Sequence, residues 1–168
     1  MRFDLSQDFP VGLDRLWTAL GQRDYVERKY RSLGSSALRL LKFSADAQAI
    51  EVELERQAPV ARDELPAWAR VFSGSEQALH QHTRWRRVAP DTIAIELEIR
   101  APSLHVAAKG TGSVVEPKPG HSRMTLHFEV ACSKPALRAT VAPLFARQVE
   151  HALQADHAFT LDYLGARS

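Results

Sequence analysis

A stretch of about a hundred residues, from Ser36 to Cys132, alternates apolar and polar side chains and so constrains the fold more than any other feature. In the segment 50–55, isoleucine, valine and leucine occupy the even positions and glutamates the odd ones. The same split recurs in the segments 93–100 and 123–130. When the pattern repeats every two residues, successive side chains lie on opposite faces of a strand. The pattern therefore predicts about six antiparallel strands with one wet face.

The charged residues predict the register of two hairpins. A three-residue loop at 89–91 sets Arg84 opposite Glu96 on the wet face. In the next hairpin, a turn at about 117–120 places Gly110 across from Phe128 and Gly112 across from Leu126, all on the inner face. Two glycines on an inner face either bend the sheet or leave room beside it.

The flanks of this stretch predict one strand and three helices. Residues 2–9 alternate as a first strand, and two short helices follow, the second of which ends at Gly34. A long helix from about Pro135 to Leu164 closes the chain, with Ser133 and Gly165 as the predicted caps. Its predicted apolar stripe comprises Val141, Phe145, Val149, Ala152, Phe159 and Tyr163. Only the inner face of the sheet offers a concave apolar surface to cover that stripe.

Composition and charge indicate which class of protein this is. The 168 residues, 45% hydrophobic and 25% charged, are typical of one globular domain spanning 1–168. Twenty-two basic and twenty acidic side chains leave a net charge of +2, which argues against nucleic acid as a partner. The single cysteine, Cys132, excludes an internal disulfide and is expected to be a small buried hydrophobe. With no apolar run of the secretory type at the start, we expect a cytoplasmic protein without stable membrane insertion.

Several motifs resemble a known superfamily. The residues FP at 9–10 and DRLW at 14–17 are similar to the opening of the START-like superfamily, also called SRPBCC, helix-grip or polyketide cyclase-like. More narrowly, DYVERKY at 24–30, LPAWAR at 65–70 and HAF at 157–159 resemble a bacterial family known as domain of unknown function 2505. The resemblance implies an α+β fold: a seven-stranded antiparallel sheet curved around a long C-terminal helix, two short helices after strand 1, and a cavity between helix and sheet. Its motifs are structural rather than catalytic.

Polar residues on the inner face support such a cavity. Gln81 and Thr83 share that face with Trp85. In a core without a cavity, each polar group that lacks a hydrogen bond would lower the stability of the fold by about 1–3 kcal/mol. A wet or ligand-filled cavity removes this cost, whereas the alternative is a Gln81 that bonds a strand-end carbonyl or lies at the sheet edge.

Asp156 falls inside the apolar stripe of the terminal helix. It would orient a ligand hydroxyl or act as a general acid, since burial raises the pKa of a carboxyl group. Alternatively it is a structural carboxylate that Thr160, Tyr163, a basic residue or a strand backbone satisfies. The structural role is favoured because the sequence places no second titratable group beside it.

Two further features have open interpretations. The segment 59–74 is predicted to form a short amphipathic helix that either closes the cavity as a lid or simply covers the core. His80 and His82 point to one face, as two metal ligands would, but no third ligand is evident. A solvated pairing with Arg84 and Glu98 is favoured, and we predict no metal and no cofactor.

The leading hypothesis is a binding module for a small hydrophobic molecule, lipid-like or polycyclic, held between the terminal helix and the sheet. The alternatives are a cyclase, dehydratase or hydrolase that uses Asp156 as acid or base and Gln81 or a tyrosine to hold an oxyanion, and a chaperone-associated interaction domain. The sequence does not determine the ligand or the oligomeric state. The predicted lining residues are Trp17, Tyr25, Tyr30, Trp68, Phe72, Gln81, Thr83, Trp85, Leu97, Phe128, Gln148, Ala152, Asp156 and Phe159.

Overall fold

The computed structural model describes residues 1–60, 63, 67, 70 and 74–165. Within them the chain forms strands and helices in the order that the sequence predicts. The elements are β1 (Arg2–Phe9), α1 (Leu13–Leu20), α2 (Arg23–Ser32), β2 (Ser36–Ala45), β3 (Ala49–Pro59), β4 (Glu76–Ala89), β5 (Thr92–Ala101), β6 (Val106–Lys118), β7 (His121–Cys132) and α3 (Pro135–Tyr163).

The strands form one antiparallel sheet of seven in the order β1-β7-β6-β5-β4-β3-β2 within the described part of the chain. Its inner face carries the alternating apolar residues, among them Ile50, Leu54 and Ile93, each completely buried. Helix α3 packs on this face against β7, β6 and β1. The predicted α+β fold, with a sheet curved around a long terminal helix, is confirmed.

The predicted hairpin registers are confirmed, with one local difference. Arg84 pairs with Glu96, Gly110 with Phe128 and Gly112 with Leu126. The loop between β4 and β5 is shorter than predicted, because the register shifts between Arg87 and Ala89 and the strands extend to the Ala89–Thr92 pair. A bulge there leaves the extra residue out of the ladder, so the turn itself has only two residues, 90 and 91.

The two inner-face glycines serve close packing. A Cβ atom on Gly112 would lie 1.9 Å from the main-chain oxygen of Thr125, and one on Gly110 would lie 2.5 Å from the ring of Phe128. Both separations are far below van der Waals contact. The expectation that these glycines leave spare room is therefore wrong, since neighbouring atoms already occupy it.

The sequence prediction is correct for the C-terminal end of α3 and wrong for its N-cap. Lys134, not Ser133, is the N-cap residue, and the Ser133 hydroxyl donates instead to the carbonyl of His105 at 3.3 Å. Proline suits the first turn of a helix because its missing N–H has no partner there, so Pro135 begins α3. Gly165 follows the helix with a φ of +62°, as predicted for a C-terminal glycine. No helix in the described part of the chain combines the length and hydropathy that a membrane crossing requires.

The buried face of α3 differs from the predicted stripe. Its buried residues are Ala142, Phe145, Ala146, Val149, Leu153 and Thr160. At 100° per residue their centre lies about 60° around the helix from the predicted centre. Ala152 and Phe159, which the sequence placed near the centre, are only partly buried, and Leu153 and Thr160 take their place.

Candidate functional site

An inner pocket lies between α1, α2, the sheet and the second half of α3. Its volume is about 50 Å³, which suffices for a few water molecules but not for a drug-sized ligand. Six predicted lining residues surround it: Tyr25, Gln81, Thr83, Trp85, Leu97 and Asp156. Tyr30 lines a further space of about 20 Å³ next to Tyr25.

A buried ion pair borders this inner pocket. Lys29 is 8% exposed, and its Nζ lies 3.0 Å from Oδ2 of Asp156. One turn further along α3, the Thr160 hydroxyl donates to the main-chain oxygen of Asp156 at 2.8 Å, so the Tyr25 hydroxyl donates to Thr160 at 2.7 Å. The structure thus favours the structural role of Asp156. The basic residue that this alternative allowed for is Lys29, a titratable group that the sequence analysis did not place beside Asp156.

The surroundings of Lys29 keep it charged. Burial alone would lower the pKa of its ammonium group, but the attraction of Asp156, reinforced by Tyr25 and Tyr30, outweighs burial and raises that pKa. The ring centroids of the two tyrosines lie 5.2 and 4.9 Å from Nζ, within cation–π range. Burial also raises the pKa of the Tyr25 hydroxyl, which stays neutral. At neutral pH Lys29 therefore has no free electron pair for nucleophilic or base catalysis.

Gln81 finds its partners among side chains of the interior. Its amide nitrogen lies 2.5 Å from the Tyr30 hydroxyl and 3.5 Å from the hydroxyl of Thr83, and donates to both. Strand β4 is flanked by β3 and β5. The alternative in which Gln81 bonds a strand-end carbonyl or lies at the sheet edge is therefore wrong.

An outer pocket of about 380 Å³ lies between the end of α2, strands β3 and β4 and the middle of α3. This volume falls in the range of small-molecule sites. Two predicted residues, Gln148 and Ala152, line it. The rest of its wall includes the apolar residues Leu33, Ala58, Leu79, Ile99, Phe145 and Val149 and the polar residues Arg56, Gln77 and His151.

Two buried polar side chains of the outer pocket have atoms without a hydrogen-bond partner among the described residues. Arg56 is 6% exposed; Nη1 donates to the Ser35 hydroxyl at 2.8 Å, whereas Nε has no partner in the part of the chain that the structure describes. Gln77 is 8% exposed; its amide nitrogen donates to Gln148 at 3.1 Å, whereas its oxygen accepts no hydrogen bond from a described residue. Such atoms are rare in folded proteins, since each costs about 1–3 kcal/mol.

Arg56 also lacks a paired carboxylate among the described residues. Its guanidinium carbon lies 5.0 Å from the ring centroid of Tyr30. Burial lowers the pKa of Arg56, against the opposing influence of Tyr30 and Asp156, but a guanidinium remains protonated at neutral pH in proteins. The outer pocket therefore has a buried positive charge in its wall.

The family model described as protein of unknown function (DUF2505) matches residues 4–164. The chain belongs to this family. The resemblance drawn from the sequence motifs is thereby confirmed. No curated protein matches the chain in sequence.

Solved structures show that this DUF2505 chain has the START-like helix-grip fold. A START superfamily protein from Mycobacterium smegmatis is 12% identical, with a TM-score of 0.56 over 96% of this chain and 98% of its own. The Zhui aromatase/cyclase from Streptomyces sp. R1128 is 14% identical, with a TM-score of 0.59 over 99% and 94%. Norcoclaurine synthase from Thalictrum flavum is 13% identical, with a TM-score of 0.56 over 100% and 88%. At these identities the likeness concerns the fold alone.

Three more of the predicted lining residues of the DUF2505 chain, Trp17, Phe128 and Phe159, are described and lie outside the two pockets. Trp17 is buried, with the Arg87 guanidinium 5.0 Å from its ring centroid. Phe128 stacks on Phe3 at 4.8 Å, and Phe159 packs against Tyr25 at 5.7 Å. Their contact with a ligand stays a prediction. Trp68 and Phe72, with most of the predicted 59–74 helix, lie outside the described residues.

The two histidines of β4 pair with charged neighbours on the outer face. His80 lies 2.9 Å from the carboxylate of Glu53 and 3.0 Å from Arg100, and His82 lies 2.7 Å from Glu51. The favoured interpretation as cross-strand pairs is correct, although the partners include glutamates of β3 rather than Glu98. Among the described residues, no group of three ligating side chains suits a metal ion.

Arg56, Gln77 and Lys29 are polar residues of the two pockets that the sequence analysis did not select. Arg56 continues the even-numbered inner face of β3, and Gln77 shares the face of Gln81 on β4. Lys29 lies four residues after Tyr25 on the buried side of α2. Alternation and helical spacing were the signals that would have found all three. They were overlooked because a basic or amide side chain is not expected among apolar neighbours.

Proposed function

We propose that this DUF2505 protein binds a small hydrophobic molecule, lipid-like or polycyclic, in the outer pocket between α3 and the sheet. The observation that carries this proposal is the volume of about 380 Å³ behind a largely apolar wall. Small-molecule sites are concave and mostly apolar, and a half-open space of this size with such a wall has that form. An apolar wall gains from a ligand that removes it from water.

The fold relatives support a role in holding small organic molecules. The norcoclaurine synthase structure is a complex with dopamine and hydroxybenzaldehyde. An enzyme would also need a proton-transfer group that is free to act. Asp156 and Lys29 are paired with each other, which favours binding over catalysis for this chain. An interaction domain would need a broad exposed apolar patch. The large hydrophobic residues exposed in the described part are spread over the sheet, with Met1 and Leu41 at its opposite edges and Val88 on β4.

The test is ligand binding by protein purified without detergent. Dodecanol and anthracene serve as lipid-like and polycyclic probes, with thermal unfolding and calorimetry as readouts. A probe at a hundred times its dissociation constant stabilises the native state by about 2.7 kcal/mol. For a chain of this length that corresponds to a rise in melting temperature of about 5–10 °C.

A pair of tryptophan variants locates the binding. Ala152→Trp places a large ring in the outer pocket, and Gln154→Trp places the same ring at an exposed position of α3. We expect the first variant to lose probe binding at least ten-fold and the second to bind as the parent does. If neither probe binds the parent protein saturably, or if Ala152→Trp binds both unchanged, the proposed function is wrong.

A further inference from the structure

Among the residues that the structure describes, two cations and one carboxylate lie in the interior beside the two pockets: Lys29, Arg56 and Asp156. Lys29 forms its ion pair with Asp156 at 3.0 Å. Arg56 is influenced by the same Asp156 but forms no ion pair with any described residue. The ring of Tyr30 lies beside both cations, with its centroid 4.9 Å from Nζ of Lys29 and 5.0 Å from the guanidinium carbon of Arg56. Among the described residues, this part of the fold therefore has one cationic side chain more than it has carboxylates.

The unmatched charge belongs to the outer pocket. Arg56 lines that pocket, and the Nε and Nη2 edge of its guanidinium makes no hydrogen bond to a described residue. This edge is the part of arginine that pairs with both oxygens of a carboxylate. A buried charge without a partner is costly, and an apolar residue at this position would avoid that cost. The arginine is thus explained if a ligand supplies the missing anion.

The rest of the pocket requires an apolar ligand. Leu79, Ile99, Phe145 and Val149 form its wall together with the Cβ atom of Ala152. A small inorganic anion would leave the apolar wall exposed to water. An uncharged hydrocarbon would leave the guanidinium without a counter-charge. A molecule with an anionic head and an apolar body satisfies both surfaces, since its head supplies the counter-charge as well as hydrogen-bond acceptors.

We infer that the natural ligand is an anionic amphiphile whose single carboxylate pairs with Arg56 while its hydrocarbon part lies along the apolar wall. The inference rests on the proposed function, because it assigns the chemical class of ligand for the same pocket. Arg56 is a specificity-determining residue in this view.

The experiment compares three probes that share one chain and differ in the head group. Dodecanoate, dodecanol and dodecylammonium are titrated into the full chain at pH 8 below their aggregation concentrations, and dissociation constants come from calorimetry. A hydrogen-bonded charge pair in a buried site corresponds to about a ten-fold to hundred-fold gain in affinity. We therefore expect dodecanoate to bind at least ten times more tightly than dodecanol, and dodecylammonium to bind most weakly.

Two variants separate the charge from other effects. Arg56→Met keeps the apolar stem and removes the guanidinium, and Arg39→Met removes an exposed arginine of β2 that is not part of the pocket. Arg56→Met should lower the affinity for dodecanoate at least ten-fold while dodecanol binding stays within about two-fold. Arg39→Met should change neither. Because the head-group comparison uses the unmodified chain, it remains decisive even if Arg56→Met does not fold.

The outcomes distinguish the two proposals. If dodecanol and dodecanoate bind with equal affinity, or if Arg56→Met weakens both equally, the anionic class is wrong while hydrophobic binding in the pocket stands. If none of the three probes binds, and anthracene does not bind either, the proposed function is wrong as well.

Discussion

Replacing Asp156 by asparagine removes the counter-charge of Lys29 and keeps the shape of the side chain. The 3.0 Å separation corresponds to about 5–6 kcal/mol of attraction at an effective dielectric constant of about 20. Removing one partner of a buried pair typically costs about 3–5 kcal/mol. Because the Asp156 side chain is 25% exposed, solvent already weakens the attraction. We therefore expect Asp156→Asn to lower the free energy of unfolding by about 2–3 kcal/mol.

Urea and thermal unfolding measure this loss. For a chain of this size it corresponds to a melting temperature roughly 4–12 °C lower. A double-mutant cycle with Lys29→Met, which removes the cation, measures the interaction free energy between the two side chains. The double variant should be more stable than the sum of the two single effects predicts, by about 2 kcal/mol. If the single effects simply add, the two groups do not stabilise each other and the reasoning is wrong.

The pH dependence provides a second check on the same pair. The folded state raises the pKa of Lys29 above its ordinary value of 10.5. A raised lysine pKa contributes stability that is complete below the unfolded pKa and disappears only as the pH rises through the folded pKa. In Asp156→Asn burial is no longer opposed by a carboxylate and lowers the pKa of Lys29, so the variant regains stability as the pH rises toward the unfolded pKa of lysine. The difference in stability between the parent and Asp156→Asn should accordingly be largest near neutral pH and should narrow toward pH 10. A difference that widens with rising pH would contradict the assigned pairing.

Two further predictions concern the sheet. Gly112→Ala should lower the free energy of unfolding in urea by about 3 kcal/mol or more, since its Cβ would lie 1.9 Å from a main-chain oxygen of β7. The control is Gly74→Ala, whose Cβ would meet no described atom closer than 3.5 Å and which should change the free energy of unfolding by no more than about 1 kcal/mol. Equal effects of the two variants would contradict the close approach at Gly112. Hydrogen bonds from Lys42 and His82 hold the pKa of Glu51 at about 2, below its ordinary 4.5, so its stabilising contribution is present above pH 4.5 and disappears as the pH falls to about 2. A carboxyl titration followed by NMR should show this midpoint, and a midpoint near 4.5 would contradict it.

Alternation along the chain was sufficient to predict the antiparallel strands and the register of two hairpins, whereas the seven-stranded curved sheet was implied by the family resemblance. A slip of one residue would move every charged side chain of a strand into the core, so pairs such as Arg84 with Glu96 allow only one alignment. The bulge before Ala89 escaped prediction because charges constrain the middle of a hairpin more strongly than its turn. Local backbone geometry at the turn depends on packing that a pattern of polarity does not express.

The terminal helix was less predictable than the sheet. Its apolar residues are distributed around most of the helix circumference, and several of them are alanines, which occur on buried and exposed faces alike. The orientation is then decided by contacts with other elements, such as the Tyr25 hydroxyl on Thr160 and the Gln7 amide on the carbonyl of Leu153 at 2.9 Å. The N-cap failed for a similar reason, since the hydroxyl of Ser133 has another acceptor in His105.

The rotation of α3 explains why the open space lies where it does. Leu153, rather than Ala152, faces the centre of the sheet, and its side chain forms part of the wall of the inner pocket. Ala152 and Ala155 then line the outer pocket, where side chains that end at Cβ leave volume that leucines would fill. The inner space is correspondingly small and bordered by an internally paired Lys29 and Asp156. The larger of these two spaces has Arg56, a cation without a paired carboxylate among the described residues, in its wall, so size and charge both favour the outer pocket over the inner one as the place for a ligand.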